Sequence, residues 1–234
     1  MKKAVISYNF GSYDKIPPIE WKTTDWDYLL FSDKTNSTEK MKGWDVVVLP
    51  EEFFESDNPK RRANQIKYTP FSTCLKELDK EYDLIVVIDA NMVVQGDMDD
   101  FVDIHCMSTM DGVFLIHPNI EGAYEDIALC AKLEKDDLVS LKKTSNYFHE
   151  EGYPQTTKYF QTGVSIRRNT SAWKIIEYVF YEEYKKFSKR DQPMMNFVRW
   201  KYDVLDLNLI DIEHISDYLK YETHHFEQDA LETP

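Results

Sequence analysis

The sequence predicts an α/β fold with a mixed, mostly parallel central sheet flanked by helices, and three observations predict it. Short runs rich in β-branched and aromatic residues recur along the chain, with helical spacings between them. The most apolar run, Leu84-Ile85-Val86-Val87-Ile88, shows no polar alternation and reads as a buried central strand. It stops abruptly at Asp89-Ala90-Asn91, which places two polar side chains at a strand's carboxyl end, where open α/β sheets bind their ligands.

Taken in order, Val5–Tyr8, Tyr28–Ser32 and Asp45–Leu49 are the first strands, separated by turn-prone polar and proline residues. Asn58-Pro59 starts a helix, proline at the first helical position being compatible with the missing hydrogen bond there. Ile66, Phe71, Leu75 and Leu78 continue it at broadly helical spacing, and Pro70 should kink or divide it. After the central strand come a short helix near Met98–His105, a strand at Val113–Ile116 and one helical, charge-rich stretch from Glu121 to about Phe148. Val164–Ile166 is a further strand, Thr170 caps a helix through about Phe187, another helix follows Asp191, and Ile210–Ile212 closes the sheet. The residues after about Phe226 are acidic and should fray.

A chain of 234 residues can bury a continuous core without staples, and 42% hydrophobic with 14% aromatic residues is a folded composition. Cys74, Cys106 and Cys130 are odd in number and lack metal-type spacing, which suits a reducing cytosol. The first apolar stretch is too short for a signal peptide, and no segment approaches a membrane span, so a cytoplasmic location is expected. A formal charge of −14 disfavours unaided nucleic-acid binding, although Lys60, Arg61, Arg62 and Lys67 form a basic cluster suited to a phosphorylated ligand. No Gly-x-Ser-x-Gly elbow, Lys-Ser/Thr phosphate loop or His-Glu-x-x-His motif occurs, which argues against hydrolase, P-loop and zincin chemistry.

Several short motifs fall in one order: Tyr28-Leu29-Leu30-Phe31-Ser32-Asp33, Lys67-Tyr68, Ile88-Asp89-Ala90-Asn91, His117-Pro118, Gly152-Tyr153-Pro154 and Arg190-Asp191-Gln192. That order, from about Val5 to Trp200, resembles the TOD/MUCI-type glycosyltransferase-like family, with a GT-A (Rossmann-like) fold. The resemblance implies one domain over residues 1–226, a nucleotide-sugar half to about 118 and an acceptor half from about 119, with an acidic tail at 227–234. It implies transfer of a hexosyl or pentosyl group from a nucleoside-diphosphate sugar, a UDP-sugar first of all, to a hydroxyl acceptor. A diphosphate held by strand-end carboxylates usually carries a divalent cation, Mn2+ or Mg2+. The motif for this in GT-A enzymes is Asp-x-Asp, from which this chain departs: Asn91 can ligate through its carbonyl but brings no charge.

The implied metal ligands are Asp89, Asn91 and one of the late histidines His224 and His225, since adjacent strand residues face opposite ways. Tyr8, Arg62, Lys67, Asp89, Ala90, Asn91, His117 and Gly163 are the implied nucleotide-sugar contacts, Gly163 because it lets backbone approach a ligand closely. Asp89, Asp191 and Gln192 are the expected catalytic group, Asp191 also being a natural helix cap. Two alternatives follow from the same residues. One is a non-catalytic sugar- or nucleotide-binding protein with a decayed site, motivated by Asn91. The other is a viral-type transferase acting on modified DNA bases, which the acidic charge opposes.

Overall fold

The computed structural model describes residues 1–33 and 43–222. Its strands are β1 (Lys3–Asn9), β2 (Trp26–Ser32), β3 (Asp45–Val47), β4 (Leu84–Ile88), β5 (Met92–Val94), β6 (Gly112–Ile116), β7 (Phe160–Arg168), β8 (Leu207–Ile210) and β9 (Leu219–Tyr221). Seven form one sheet in the order β3-β2-β1-β4-β7-β6-β8, while β5 and β9 make a separate two-stranded ribbon. The pairs β1–β2, β1–β4, β2–β3 and β6–β8 are parallel, and β7 alone runs against its neighbours β4 and β6. The sheet is therefore mixed and mostly parallel.

Alternation within the strands decides the layering. Ala4, Ile6 and Tyr8 of β1 share one face with Ile85 and Val87 of β4, whereas Val5, Leu84, Val86 and Ile88 face the other way. The first face is covered by α1 (Pro59–Tyr68), α2 (Leu75–Glu77), α4 (Ala123–Lys132), α5 (Leu138–Glu150), α6 (Ser171–Tyr184) and α7 (Asp191–Tyr202). The second is covered by α3 (Met98–His105) and the β5–β9 ribbon. Both faces of β4 are thus covered, which is why its five residues carry no polar alternation.

The chain leaves β1 toward β2 and β3, then returns to pair β4 with β1's other edge. The carboxyl ends of β1 and β4 therefore flank the point where strand order reverses, and a crevice opens there. On the antiparallel β7, by contrast, it is the amino end that reaches this rim, with Ile88 opposite Val164.

Local chemistry fixes the helix boundaries. Asn58 accepts from the amides of Lys60 and Arg61, starting α1 as expected. Pro70 divides the helix: a proline disfavours helical backbone before it, Thr69 departs from it, and Pro70–Cys74 forms a π-helical turn. Thr170 caps α6 through the Trp173 amide. The single helix expected from Glu121 to Phe148 is two, because Glu134 has φ +50° and Asp137 caps a new start by accepting from the Ser140 amide. The closing strand is Leu207–Ile210, with Ile212 already in a 3-10 turn. No helix among the described residues is long and apolar enough to cross a membrane.

The π-helical turn is held by a buried carboxylate. Glu177 of α6 accepts from the Phe71 amide at 3.1 Å, the Ser72 amide at 2.7 Å and the Ser72 hydroxyl at 2.5 Å. Burial pushes its pKa up to about 7, against the pull of these donors. A raised carboxyl pKa means that the fold binds this proton more tightly than the unfolded chain does. The stability it contributes is full below the ordinary value and is lost as pH rises through about 7. Unfolding by denaturant should therefore show a loss of about 1 kcal/mol between pH 6 and pH 8. A Glu177→Gln variant should lose that slope; an unchanged slope would show that another group causes it.

Candidate functional site

Four elements converge where β1 and β4 diverge. Tyr8 is the penultimate residue of β1, Asp89 follows β4 directly, Lys67 lies in the last turn of α1, and Asp191 opens α7. The Lys67 ammonium, 2% exposed, sits between the two carboxylates, 3.1 Å from Asp89 Oδ1 and 3.0 Å from Asp191 Oδ2. Asp89 Oδ1 also accepts from the Tyr8 hydroxyl. Asp191 Oδ2 further accepts from the Tyr68 hydroxyl at 2.8 Å and the Thr162 hydroxyl at 3.2 Å.

A buried ammonium is tolerable only when its charge is matched, and here two acids match it. Burial by itself would raise both carboxyls, but Lys67 and Lys60 outweigh it, so Asp89 is lowered and Asp191 is held well below the usual carboxylate range. The phenols respond in the opposite sense: burial first, then the neighbouring carboxylates, push Tyr8 and Tyr68 up. Around neutral pH the cluster therefore holds two carboxylates and two neutral phenols.

This cluster floors a cavity of about 500 Å³. Tyr8, Lys67, Asp89, Ala90, His117, Gly163, Asp191 and Gln192 all line it, which brings together most of the residues singled out from the sequence. Its charged lining is balanced, with Lys60, Lys67, Lys135 and Arg190 set against Asp14, Asp89, Asp126 and Asp191. His117 accepts at Nδ1 from the amides of Asn119 and Ile120, so its Nε2 carries the proton when the ring is neutral. Gln192 accepts from the Thr162 amide and donates to Asp126, which also receives the Tyr159 hydroxyl.

Gly163 meets a close approach. A Cβ there would lie 3.0 Å from the Tyr221 hydroxyl and 3.2 Å from Asp89 Oδ2, tighter than most real contacts. The Gly163 carbonyl meanwhile accepts from the Asp89 amide at 2.8 Å, locking the strand tip in place. Position 163 thus admits the acid and Tyr221 together because it lacks a side chain.

Other expected residues lie elsewhere. Arg62 is not in the cavity lining: it turns outward to Glu51 at 2.5 Å and Asp57 at 3.2 Å, with its guanidinium over Phe54. The α1 residues that do face the cavity are Pro59, Lys60, Ala63 and Lys67. Asn91 is 5% exposed, and its amide donates to the Glu222 carbonyl at 2.8 Å. His224 and His225 lie outside the described residues.

Among the described residues, the donors at Asp89-Ala90-Asn91 do not fit a divalent cation. One Asp89 oxygen is taken by Lys67 and Tyr8, and a dication beside Asp89 would also face the repulsion of a buried ammonium. The Asn91 oxygen, buried without a partner among the described residues, belongs to a side chain outside the cavity lining. Among the described residues no group of three or more His, Cys, Asp or Glu side chains gathers to hold a metal.

Sequence reasoning did not single out Asp126, and it placed Lys60 only within a basic cluster suited to a phosphorylated ligand. Lys60 was accessible, being seven residues before Lys67 and hence on the same helix face. Nothing in the sequence signalled Asp126, which tertiary packing alone brings in.

Family models give no match to this chain, and no curated protein matches it. Solved structures do. The crystal structure of an active-site mutant of LgtC aligns at a TM-score of 0.50 and 11% identity, covering 88% of this chain and 72% of that one. The fold is GT-A. The galactosyltransferase LgtC in complex with donor and acceptor sugar analogues aligns at 0.47 and 10% identity, with the same coverage. The bifunctional glycosyltransferase WbbM aligns at 0.49 and 12% identity, and this chain spans 38% of its length.

Removing the central charge should expose its structural weight. Lys67→Met leaves two carboxylates facing each other with their shared cation gone, and should destabilise the protein by about 3–5 kcal/mol. Adding Asp191→Asn should recover part of that loss. Denaturant unfolding of the two variants measures it, and simple additivity of the two changes would contradict the coupling.

Proposed function

We propose that this GT-A chain is a glycosyltransferase that moves a hexosyl or pentosyl group from a nucleoside-diphosphate sugar, a UDP-sugar first, to a hydroxyl acceptor. One observation carries the reading: an acid-lysine cluster stands at the switch point of the sheet and opens into a cavity of nucleotide-sugar size. The order of motifs that resembles the TOD/MUCI-type family supports the same class. In this reading residues 1–118 hold the donor, residues 119–226 face the acceptor, and the enzyme works in the cytoplasm.

The residues divide by what their surroundings permit. Asp89, a third exposed and ionised, reaches the cavity and is suited to hold a sugar hydroxyl or to orient the donor. Asp191 is a poor proton acceptor, since two ammonium groups and a phenol hold it ionised far below neutrality. Its part is to fix Lys67 and Tyr68, which makes it a positioning residue. Gln192 ties α7 to β7 and to Asp126 while lining the cavity. The neutral His117 presents an Nε2–H donor to whatever occupies the site.

A second reading, a sugar-nucleotide-binding protein without turnover, is favoured by one observation, the engagement of Asn91 with the chain rather than with the cavity. Incubation with a panel of UDP- and GDP-sugars separates the two through release of free nucleoside diphosphate. Turnover is expected, with transfer to water where no acceptor is supplied. Asp89→Asn should lower turnover by about 100-fold or more while the melting temperature stays within a few degrees. Binding of a donor with no release under any condition would establish the second reading.

A further inference from the structure

Lys60 stands apart from the other charges of the site. Its side chain is a third exposed and its ammonium lies 3.6 Å from Asp191 Oδ1, outside hydrogen-bond range, while Lys67 is 2% exposed and fully engaged. Lys60, Ala63 and Lys67 share one face of α1 and all line the cavity. The two lysines are also the cations that pull on both Asp89 and Asp191. Lys60 is thus a loosely held positive charge at the cavity wall, next to a strand tip where, among the described residues, no metal donor set assembles.

The reaction creates a need for such a charge. As the bond between the anomeric carbon and the diphosphate oxygen breaks, its electron pair stays on the diphosphate. The acceptor oxygen bonds to the anomeric carbon and its proton passes to water, so the leaving group gains one negative charge. Something cationic must be in place to meet it. When Lys60 turns from Asp191 to phosphate oxygens its charge meets the ligand directly, and Asp191 keeps Lys67, Tyr68 and Thr162 as partners.

Resting on the transferase reading above, we propose that Lys60, backed by Lys67, neutralises the departing diphosphate in the place where a divalent cation serves other transferases, so that neither binding nor turnover needs a metal. Lys60 makes the direct contact. Lys67 keeps the local field positive and the strand tip fixed.

Calorimetric titration tests this with UDP, GDP, CDP and ADP and with the corresponding nucleosides, in EDTA and then in Mn2+, for wild type, Lys60→Met and Lys60→Arg. One diphosphate should bind in EDTA within about threefold of its affinity in Mn2+. Lys60→Met should weaken that diphosphate by about tenfold or more, leave the parent nucleoside unchanged, and be rescued by Lys60→Arg. Donor turnover in EDTA should persist in wild type and fall in Lys60→Met. Binding that appears only with Mn2+ and is equal in wild type and Lys60→Met overturns the inference while leaving the transferase reading intact. Failure of every diphosphate to bind, with or without Mn2+, overturns both.

Discussion

The whole site depends on one buried ammonium group. Lys67 is costly to bury, and Asp89 and Asp191 offset that cost by approaching it from two sides. The three side chains belong to α1, to the tip of β4 and to the start of α7, so their mutual attraction ties the two halves of the molecule across the sheet's end. A second buried cation stands behind it: the Arg167 guanidinium donates to the Lys67 carbonyl at 2.6 Å and stacks 4.8 Å from Trp173. Two positive charges therefore lie in one apolar layer, and the acids around them offset the cost of burying them.

The same constraint shapes the chemistry. Charges that hold one another are preorganised, and preorganised charge is what stabilises a changing charge without delay. It also divides labour between the two carboxylates. Asp191, 3% exposed, is wholly absorbed by its partners, whereas Asp89 keeps one oxygen toward the cavity. The sequence shows two acids of similar standing, and only their surroundings separate them.

Much of this was readable from residues alone, for identifiable reasons. The central strand, the caps Asn58 and Thr170 and the division at Pro70 were legible because each is governed by neighbours within a few positions. Asp89, Lys67 and Asp191 were legible as candidates because strand tips and the ends of the adjoining helices face the crevice in such sheets. Their mutual contact was not, since 124 residues separate Lys67 from Asp191. Arg62 illustrates the complementary failure: from sequence it is interchangeable with its neighbours on α1, but a rotation of about 100° per residue carries it to Glu51 and Asp57, while Lys60 faces inward. The ribbon of β5 and β9 escaped notice because three-residue strands carry no periodic signal.

That ribbon bears on how the protein is made. Asn91 exchanges two hydrogen bonds with Glu222, and β9 brings the Tyr221 hydroxyl over Gly163 beside Asp89. Translation delivers the strand tip more than a hundred residues before the segment that walls it in. On the ribosome, the acid therefore emerges long before its enclosure, and the pocket becomes whole only once β9 has followed.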